Sequence, residues 1–184
     1  MLDPLKGNQV ALAPLQEEDL PTIAGWREDG LYLRLLDAAP AYPGSLERLR
    51  SQLQPGDHDS AFPFAVRTVA ERRLVGYAVL DGILWNQGNA WLTVAIGDAQ
   101  DRGQGYGREA VTLLLGFGFG ELNLRRITLS VFSYNAPALR LYERLGFVRE
   151  GTFRAFLQRD GQTYDMHLYG MLRGEWEAGA RRLG

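Results

Sequence analysis

Asp-Arg-Gly-Gln-Gly-Tyr-Gly-Arg-Glu-Ala, at residues 101–110, joins a strand-like apolar run to a helical one. Its alternating glycines, Gly103, Gly105 and Gly107, allow the backbone to approach a ligand closely. The free amides of the first helical turn then point at that ligand from the positive end of the helix dipole. A pyrophosphate group suits this arrangement, so the stretch predicts a phosphate-binding loop.

One interpretation of this loop is a dinucleotide site. Residues 105–110 match the fingerprint G-x-G-x-x-G/A. That fingerprint also requires an acidic residue about 20 positions further on, which holds a ribose. Here the next strand ends with Val-Phe-Ser-Tyr-Asn at residues 131–135 and has no acid. A dinucleotide-dependent oxidoreductase is therefore disfavoured.

The same loop carries a second motif. Its R-x-x-G-x-G pattern at residues 102–107 resembles the Q/R-x-x-G-x-G/A motif of the GCN5-related N-acetyltransferase (GNAT) family, whose members bind acetyl-CoA. Residues 135–147, Asn-Ala-Pro-Ala-Leu-Arg-Leu-Tyr-Glu-Arg-Leu-Gly-Phe, are similar to the second block of that family, N-x-x-A-x-x-x-Y-x-x-x-G-F. Two motifs in the right order make the resemblance specific, and it implies an acetyl-CoA-dependent N-acetyltransferase.

The resemblance covers about residues 8–173, so the chain is expected to form a single N-acetyltransferase domain, with 174–184 as a polar tail. Residues 150–151 and 159–165 resemble the branch grouped with ribosomal-protein alanine N-acetyltransferases. The serine that those relatives carry three residues after the Asn is replaced by Ala138 here.

Hydrophobic patterning predicts one mixed α/β domain. Strands are expected at residues 8–15, 62–69, 74–80, 90–96, 125–133, 152–159 and 162–171. Helices are expected in parts of 17–42, from Ser45 to a stop at Pro55-Gly56, and at 105–122, 135–145 and 175–183. The fold class is therefore a mostly antiparallel sheet of about seven strands flanked by helices. The resemblance adds that the two central strands are splayed.

The resemblance also implies where acetyl-CoA, the acetyl donor, binds. The donor would enter between the strands at 90–97 and 125–133. Its pantetheine arm would pair with the backbone of Ala95, Ile96 and Gly97. Its pyrophosphate would rest on the amides of Arg102, Gly103, Gln104, Gly105, Tyr106, Gly107 and Arg108. Asn135 would contact it from the next helix.

Tyr142 is the expected general acid beside the thioester sulfur. Asn135 and Tyr142 are seven residues apart, about two helical turns, so both can face one ligand. A phenol with a pKa of about 10 stays protonated at neutral pH, and it can protonate a leaving thiolate whose pKa is about 8.5. An aromatic side chain packed with Leu139 and Leu145 is the alternative. Because the chain has no cysteine, direct attack of the amine in a ternary complex is favoured over an acetyl-enzyme.

The position where the family often carries its general base has a different residue in this chain. Relatives often carry Glu early in the fourth strand, in an A-E-L context, whereas this chain has Ala-Trp91-Leu. Without a base, an α-amine with a pKa of about 7.7–8.0 loses about 1 kcal/mol in becoming neutral at pH 7, against roughly 4–5 kcal/mol for an amine with a pKa near 10.4. The expected acceptor is a protein N-terminal α-amine or a small-molecule amine. Asp165 is the first substitute base, and Asp37 and Asp81 are weaker candidates.

The acceptor side is expected to be aromatic with some arginine, a poor match for a highly cationic amine. The candidate residues are Trp26, Arg27, Tyr32, Trp91, Ser133 and Asp165. Each of them also suits a packing role.

Composition bounds the remaining possibilities. The 184 residues carry 20 basic and 22 acidic side chains, which argues against a direct nucleic-acid partner. Without cysteine, and with only His58 and His167, no metal site is expected. The N-terminus lacks the pattern of a signal peptide, and no apolar run approaches the ~18 residues of a membrane span, so a soluble cytoplasmic protein is predicted.

Two further possibilities stay open. The absent Glu favours, as an alternative function, a catalytically weak acyl-CoA-binding sensor or partner module. The C-terminal hairpin could pair with a second copy to form a homodimer.

Overall fold

The computed structural model describes residues 3–53 and 60–183. Its strands are β1 (Val10–Pro14), β2 (Phe62–Thr68), β3 (Leu74–Leu84), β4 (Asn89–Ile96), β5 (Arg126–Phe132), β6 (Val148–Arg159) and β7 (Gln162–Leu172). Its α-helices are α1 (Leu20–Trp26), α2 (Gly30–Leu36), α3 (Leu46–Leu53), α4 (Tyr106–Gly116), α5 (Ala136–Leu145) and α6 (Arg173–Leu183). His58 and the predicted stop at Pro55-Gly56 lie outside the described residues.

The predicted strands and helices are present, but several of their ends differ. β3 runs on to Leu84 and β6 begins at Val148, so both are longer than predicted. The helix predicted over 105–122 is α4 followed by a turn of π-helix at Phe117–Glu121. Gly118 in this turn packs on the sheet, where an added Cβ would lie 2.7 Å from Ile127 Cδ1. Glycine therefore lets the wide turn lie close to β5.

The seven strands form one sheet in the order β1-β2-β3-β4-β5-β7-β6. All neighbouring strands are antiparallel except β4 and β5, which are parallel. This parallel pair is short, because Asn89–Trp91 pairs with Arg126–Thr128 and the pairing then ends. Beyond that point β4 pairs only with β3, and β5 only with β7. The predicted sheet and its two splayed central strands are confirmed.

Helix α4 covers one face of the sheet. Its apolar residues Ala110, Val111, Leu114 and Leu115 are fully buried in one core cluster with strand side chains such as Leu80. Their spacing is that of an amphipathic helix with one buried face. Truncating such a leucine to alanine costs about 2–5 kcal/mol in other proteins, so this face holds α4 firmly on the strands.

Helices α1–α3 form a second core with the opposite face. Leu20, Ile23 and Leu49 are buried there against Tyr77 of β3 and Ala95 of β4. Side chains alternate between the faces of a strand, so Leu80 faces α4 while Tyr77 faces α1–α3. The splayed ends of β4 and β5 thus lie between two packed layers.

Candidate functional site

A cleft of about 970 Å³ opens where β4 and β5 part. One part of its wall comes from β4, from β5 and from the loop before α4. Another part comes from α2 and α5. The predicted site residues that line it are Tyr32, Trp91, Ala95, Ile96, Arg102, Gly103, Gly105, Gly107, Arg108, Asn135 and Tyr142.

The glycine-rich loop has the backbone that its sequence predicts. Gly103 and Gly105 have φ angles of 78° and 94°, in the left-handed region that favours glycine. Gly105 is the N-cap of α4, so the first amides of the helix follow it directly. Gly107 borders the cleft between Ile96 and Leu141. The loop therefore presents backbone N–H groups at one end of the cleft.

Arg102, the first residue of the motif, directs its side chain at the end of β4. Its guanidinium donates to the carbonyl oxygens of Ile96 at 3.3 Å and Gly97 at 2.6 Å. The same group lies 5.5 Å above the ring of Tyr32 and 3.6 Å from a carboxylate oxygen of Asp29. Arg102 thus joins the loop, β4 and α2.

Two carboxylates fix the loop from outside the sheet. Asp101 is buried and accepts two hydrogen bonds from Arg73, at 2.7 and 2.8 Å. This guanidinium lowers the pKa of Asp101 below its ordinary value. Glu109, in the first turn of α4, accepts hydrogen bonds from three successive backbone amides of residues 8–10, at 2.8, 2.7 and 2.6 Å. These contacts hold the loop in place before any ligand binds.

Four arginines line the cleft. Arg102 and Arg108 line it from the loop, and Arg140 and Arg144 line it from α5. Among the described residues, the last three have no ion-pair partner, so they are available to an anionic ligand. Arg140 and Arg144 were not predicted, although their i, i+4 spacing places them on one face of the helix.

Asn135 and Tyr142 line the cleft from α5, as the spacing predicts. Asn135 caps the helix, where its side-chain oxygen accepts a hydrogen bond of 3.3 Å from the Ala138 amide. Tyr142 is buried with its ring edge against Phe147. Burial raises the pKa of Tyr142 well above its ordinary value, and among the described residues no hydrogen-bond partner contributes. The phenol therefore stays protonated and its hydroxyl is free to serve a ligand.

Three predicted donor-binding residues, Gly97, Gln104 and Tyr106, do not line the cleft. Gly97 donates its amide to Val75 of β3 at 3.0 Å and lies under the indole of Trp26. Its role is therefore to admit that indole at the end of β4.

On the acceptor side, Tyr32 and Trp91 line the cleft, while Trp26 and Arg27 do not. Trp26 is a buried member of the α1–α3 core. Arg27 donates to Gln52 at 2.8 Å and borders a separate cavity. Packing against the helical layer thus takes both of these side chains away from the cleft.

Ser133 and Asp165 also lie outside the cleft and bind each other. The Ser133 hydroxyl accepts a hydrogen bond of 3.2 Å from the Asp165 amide. The Asp165 carboxylate accepts one of 2.8 Å from the amide of Ala155, whose φ is 51° in an irregular part of β6. Asp165, the first substitute base predicted, therefore holds a strand irregularity in place.

The hairpin of β6 and β7 supports the part of the cleft wall that α2 forms. Its predicted turn, Asp160-Gly161, has positive φ at both residues. Asp160 accepts two hydrogen bonds from Arg34 of α2, at 2.7 and 2.9 Å. Arg159 donates to backbone carbonyls at residues 37–39, just after α2. These contacts fix α2, and with it Tyr32, over the cleft.

Of the predicted substitute bases, the structure brings only Asp81 into the cleft. Asp81 lies near the end of β3, directly across from Trp91 of β4. Asp37 ends α2, where its carboxylate accepts a hydrogen bond of 3.0 Å from the Ala39 amide and borders the separate cavity. Other unpredicted residues of the wall include Leu35, Leu36, Ser130 and Phe132.

Among the residues that the structure describes, no three His, Asp or Glu side chains are grouped as a metal ion would require. Within the same residues, none of the helices has the length and apolar character needed to cross a membrane.

A cleft between two parted strands, with helix amides at one end and free arginines in its wall, is typical of an acyl-CoA-dependent transferase. Residues 9–148 match the family model described as an acetyltransferase (GNAT) domain. The chain belongs to this family. It is an N-acetyltransferase whose acetyl donor is acetyl-CoA.

Individual relatives agree with this assignment. The chain is 28% identical over 171 residues to the SPbeta prophage-derived uncharacterized N-acetyltransferase YokL of Bacillus subtilis, covering 93% of this chain and 94% of that protein. It is 28% identical over 182 residues to the probable N-acetyltransferase YjcK of the same organism, covering 94% and 99%. Among solved structures, spermidine N-acetyltransferase from Vibrio cholerae in complex with CoA and spermine superposes with a TM-score of 0.83 at 26% identity, covering 93% of this chain and 99% of that one.

Proposed function

We propose that the protein transfers the acetyl group of acetyl-CoA directly to a primary amine in a ternary complex, with Tyr142 as the general acid. The observation that carries the proposal is the free, protonated hydroxyl of Tyr142 in the wall of the donor cleft. Acetyl-CoA is a substrate here, and it supplies an activated acetyl group with a thiolate leaving group.

Each step of this reaction has a group in the cleft to support it. The amine nitrogen attacks the thioester carbon, and unpaired backbone amides at the parted strands stabilise the developing oxyanion. The C–S bond then breaks and its electron pair stays on sulfur. Tyr142 gives its proton to that sulfur, which releases CoA as the thiol.

The acceptor side has one unpartnered carboxylate among the described residues, Asp81, and so favours an amine with few positive charges. Tyr32, Leu35, Leu36, Trp91 and Phe132 give that wall an aromatic and apolar character. A polyamine carries several ammonium groups, and each of them would need a carboxylate or water in place of apolar contact. We therefore propose a protein N-terminal α-amine or a small monoamine as the acceptor. The likeness to the ribosomal-protein branch supports the first of these.

The Vibrio cholerae relative defines the competing acceptor class. Spermidine N(1)-acetyltransferase of that organism is 32% identical to this chain over 107 residues. Release of CoA thiol should be measured with spermidine, lysine, small monoamines and peptides with free N-termini. Faster turnover of α-amines or monoamines supports the proposal, whereas efficient turnover of spermidine would contradict it.

Binding should be tested before turnover. A ligand at 100 times its dissociation constant adds ~2.7 kcal/mol to the free energy of unfolding, roughly 5–10 °C in melting temperature. We expect this shift with acetyl-CoA and CoA and none with NADH. Binding without thiol release on any amine would favour instead a sensor or partner module, which the absence of Glu at position 91 supports.

One outer edge of the sheet offers a surface for assembly. β6 is an edge strand, and its Val148, Phe153 and Phe156 are exposed. Unpaired edges of this kind pair readily with another strand. We propose that the protein is cytoplasmic. We also propose that it forms a homodimer along β6, and light scattering of the wild type and a Phe153→Lys variant would test this dimer. A monomeric wild type would contradict the dimer.

A further inference from the structure

Asp81 lies on the face of the sheet where the acceptor would sit. Side chains alternate along β3, so Asp81 shares a face with Val79 and Tyr77. Tyr77 packs in the α1–α3 core, and Val79 packs against the same cluster. Asp81 is therefore on the side of α2 and Tyr32, away from the α4 face.

The local backbone sets Asp81 beside the point where the strands part. It pairs with Trp91, which is also the last residue of β4 that pairs with β5. The register between β3 and β4 is interrupted just after Asp81. Gly82 follows with a φ of 54°, and an added Cβ there would lie 3.1 Å from Trp91 Cδ1. The indole thus covers Gly82, and Asp81 lines the cleft beside it.

Asp81 is also the free acid of this cleft. Among the described residues it has no hydrogen-bond or ion-pair partner. The other lining carboxylate, Asp101, is held by two hydrogen bonds from Arg73. The remaining charged or titratable side chains of the lining are Tyr32, Arg102, Arg108, Arg140, Tyr142 and Arg144.

We propose that Asp81 is the general base that deprotonates the acceptor amine. Directly opposed residues on antiparallel strands have Cβ atoms about 4.5–5.5 Å apart. From the neighbouring strand, the Asp81 carboxylate can therefore reach the space beside position 91. Trp occupies that position here, where relatives often carry Glu. This inference rests on the direct attack proposed above.

The proton balance of the step is simple. The ammonium gives one proton to the Asp81 carboxylate, and the nitrogen lone pair then forms the C–N bond with the acetyl carbon. The C–S bond breaks, and Tyr142 protonates the sulfur. The nitrogen loses a second proton as the amide forms. That proton passes through solvent to the Tyr142 oxygen and restores the phenol. Of the two protons lost, one ends on CoA thiol and one leaves Asp81 for bulk water.

Burial supports this role. The half-buried position of Asp81 raises the pKa of its carboxyl above the ordinary value, and no hydrogen bond opposes that effect. A carboxylate with a raised pKa is a stronger base, and groups with perturbed pKa values gather at functional sites.

The test compares acceptors of different basicity in the Asp81→Asn variant. For an alkyl monoamine, which is protonated at neutral pH, we expect kcat/KM to fall about 10²–10⁴-fold, the usual contribution of a general base. For an aromatic amine, already neutral, the loss should be about tenfold or less. The acidic limb of the wild-type pH profile should also disappear from the variant. Asp37→Asn, which removes a carboxylate outside the cleft, is the matched control and should act like the wild type.

The outcomes separate the two proposals. An active wild type with equal losses for both amines, or with no loss at all, would overturn the role of Asp81 and leave the acetyl transfer intact. A wild type that acetylates neither of these amines nor a peptide with a free N-terminus, with or without its thermal shift on acetyl-CoA, would contradict the proposed function itself.

Stability provides a readout that needs no turnover. The pKa of Asp81 is higher in the folded than in the unfolded chain. Between these two pKa values the folded state binds more protons, so the contribution of Asp81 to the free energy of unfolding falls as pH rises. Asp81→Asn should therefore unfold at a higher temperature than the wild type at pH 7, and this advantage should shrink at pH 4. A variant that is less stable at pH 7 would assign Asp81 a structural role instead.

Discussion

The indole of Trp26 lies directly on the backbone of Gly97, at the end of β4. A Cβ added to Gly97 would lie well inside 3.0 Å of the indole ring, a distance that real Cβ atoms do not adopt. Trp26 is buried in the α1–α3 core, so it cannot easily move aside. This contact joins the helical layer to the strand that borders the donor cleft.

Gly97→Ala should therefore destabilise the protein. Overpacking of a close-packed interior usually costs about 1–3 kcal/mol, and we expect that loss in the free energy of unfolding measured by urea denaturation. Combining it with Trp26→Ala should recover part of the added cost, because the clashing ring is gone. Losses that simply add would argue against a direct contact.

Gly107→Ala is the contrasting change. A Cβ at Gly107 would make ordinary contacts, 3.5 Å from Ile96 and 4.0 Å from Leu141, in the wall of the cleft. We expect unchanged or slightly increased stability, since alanine suits a helix better than glycine. Affinity for acetyl-CoA, measured by calorimetry, should fall. An equal loss of stability in the Gly97→Ala and Gly107→Ala variants would show that the close contact with Trp26 does not set Gly97 apart.

Tyr142→Phe should separate chemistry from binding. The variant lacks only the hydroxyl, which has no protein partner among the described residues, so stability and CoA affinity should change little. Proton donation would be lost, and kcat should fall about 10²–10⁴-fold. Tyr164→Phe, which removes a hydroxyl that donates to Gln162 on the hairpin, is the control. Full activity of Tyr142→Phe would exclude the general acid role.

Arg140 and Arg144 should contribute to binding of the donor's phosphates. Changing either to Gln removes one free cation from the cleft, and we expect the dissociation constant of CoA to rise about 3–10-fold per substitution, less at high salt. Binding of S-acetylpantetheine, which has no phosphate, should not change. The exposed Arg154, outside the cleft, provides the control substitution Arg154→Gln. A similar loss with Arg154→Gln would assign the effect to overall charge.

The Asp101–Arg73 ion pair should make the free energy of unfolding depend on pH in the acidic range. The pKa of Asp101 is lower in the folded chain, so its contribution is present above the unfolded pKa of about 3.9 and is lost as pH falls through the folded value. Asp101→Asn should cost about 1–3 kcal/mol at pH 7, and the difference should shrink near pH 3. Denaturation at the two pH values tests this, with the exposed Asp98→Asn as control. A difference that persists at pH 3 would exclude the ion pair as its cause.

Much of the fold is predictable from sequence because strand and helix periods are local signals. The errors lie where local signals mislead. Asp81-Gly82 has the composition of a turn, yet β3 continues through it to Leu84 with a change of register. Residues 148–151, Val-Arg-Glu-Gly, have no strand alternation of apolar residues, yet they pair with β7 at the edge of the sheet.

The residues expected at the donor end line the cleft more often than those expected at the acceptor end. The glycines and Tyr142 take their positions from backbone conformation and helical spacing, which the sequence contains. The position of Asp81 depends on its register with Trp91 across two strands, and no local pattern encodes that register. The surroundings of Asp165 are hidden from the sequence for the same reason, because the hydrogen bond that its carboxylate accepts from the Ala155 amide is a tertiary contact.

The parting of β4 and β5 leaves two strand edges inside the protein, with unpaired peptide groups facing each other across the cleft. An unpaired strand edge can pair with another chain and so promote aggregation. Acetyl-CoA covers this edge only while it is bound, and a ligand that binds only the folded state reduces the unfolded population in proportion to its concentration. Saturation with the acetyl donor should therefore stabilise the folded chain against unfolding, besides supplying the substrate for turnover.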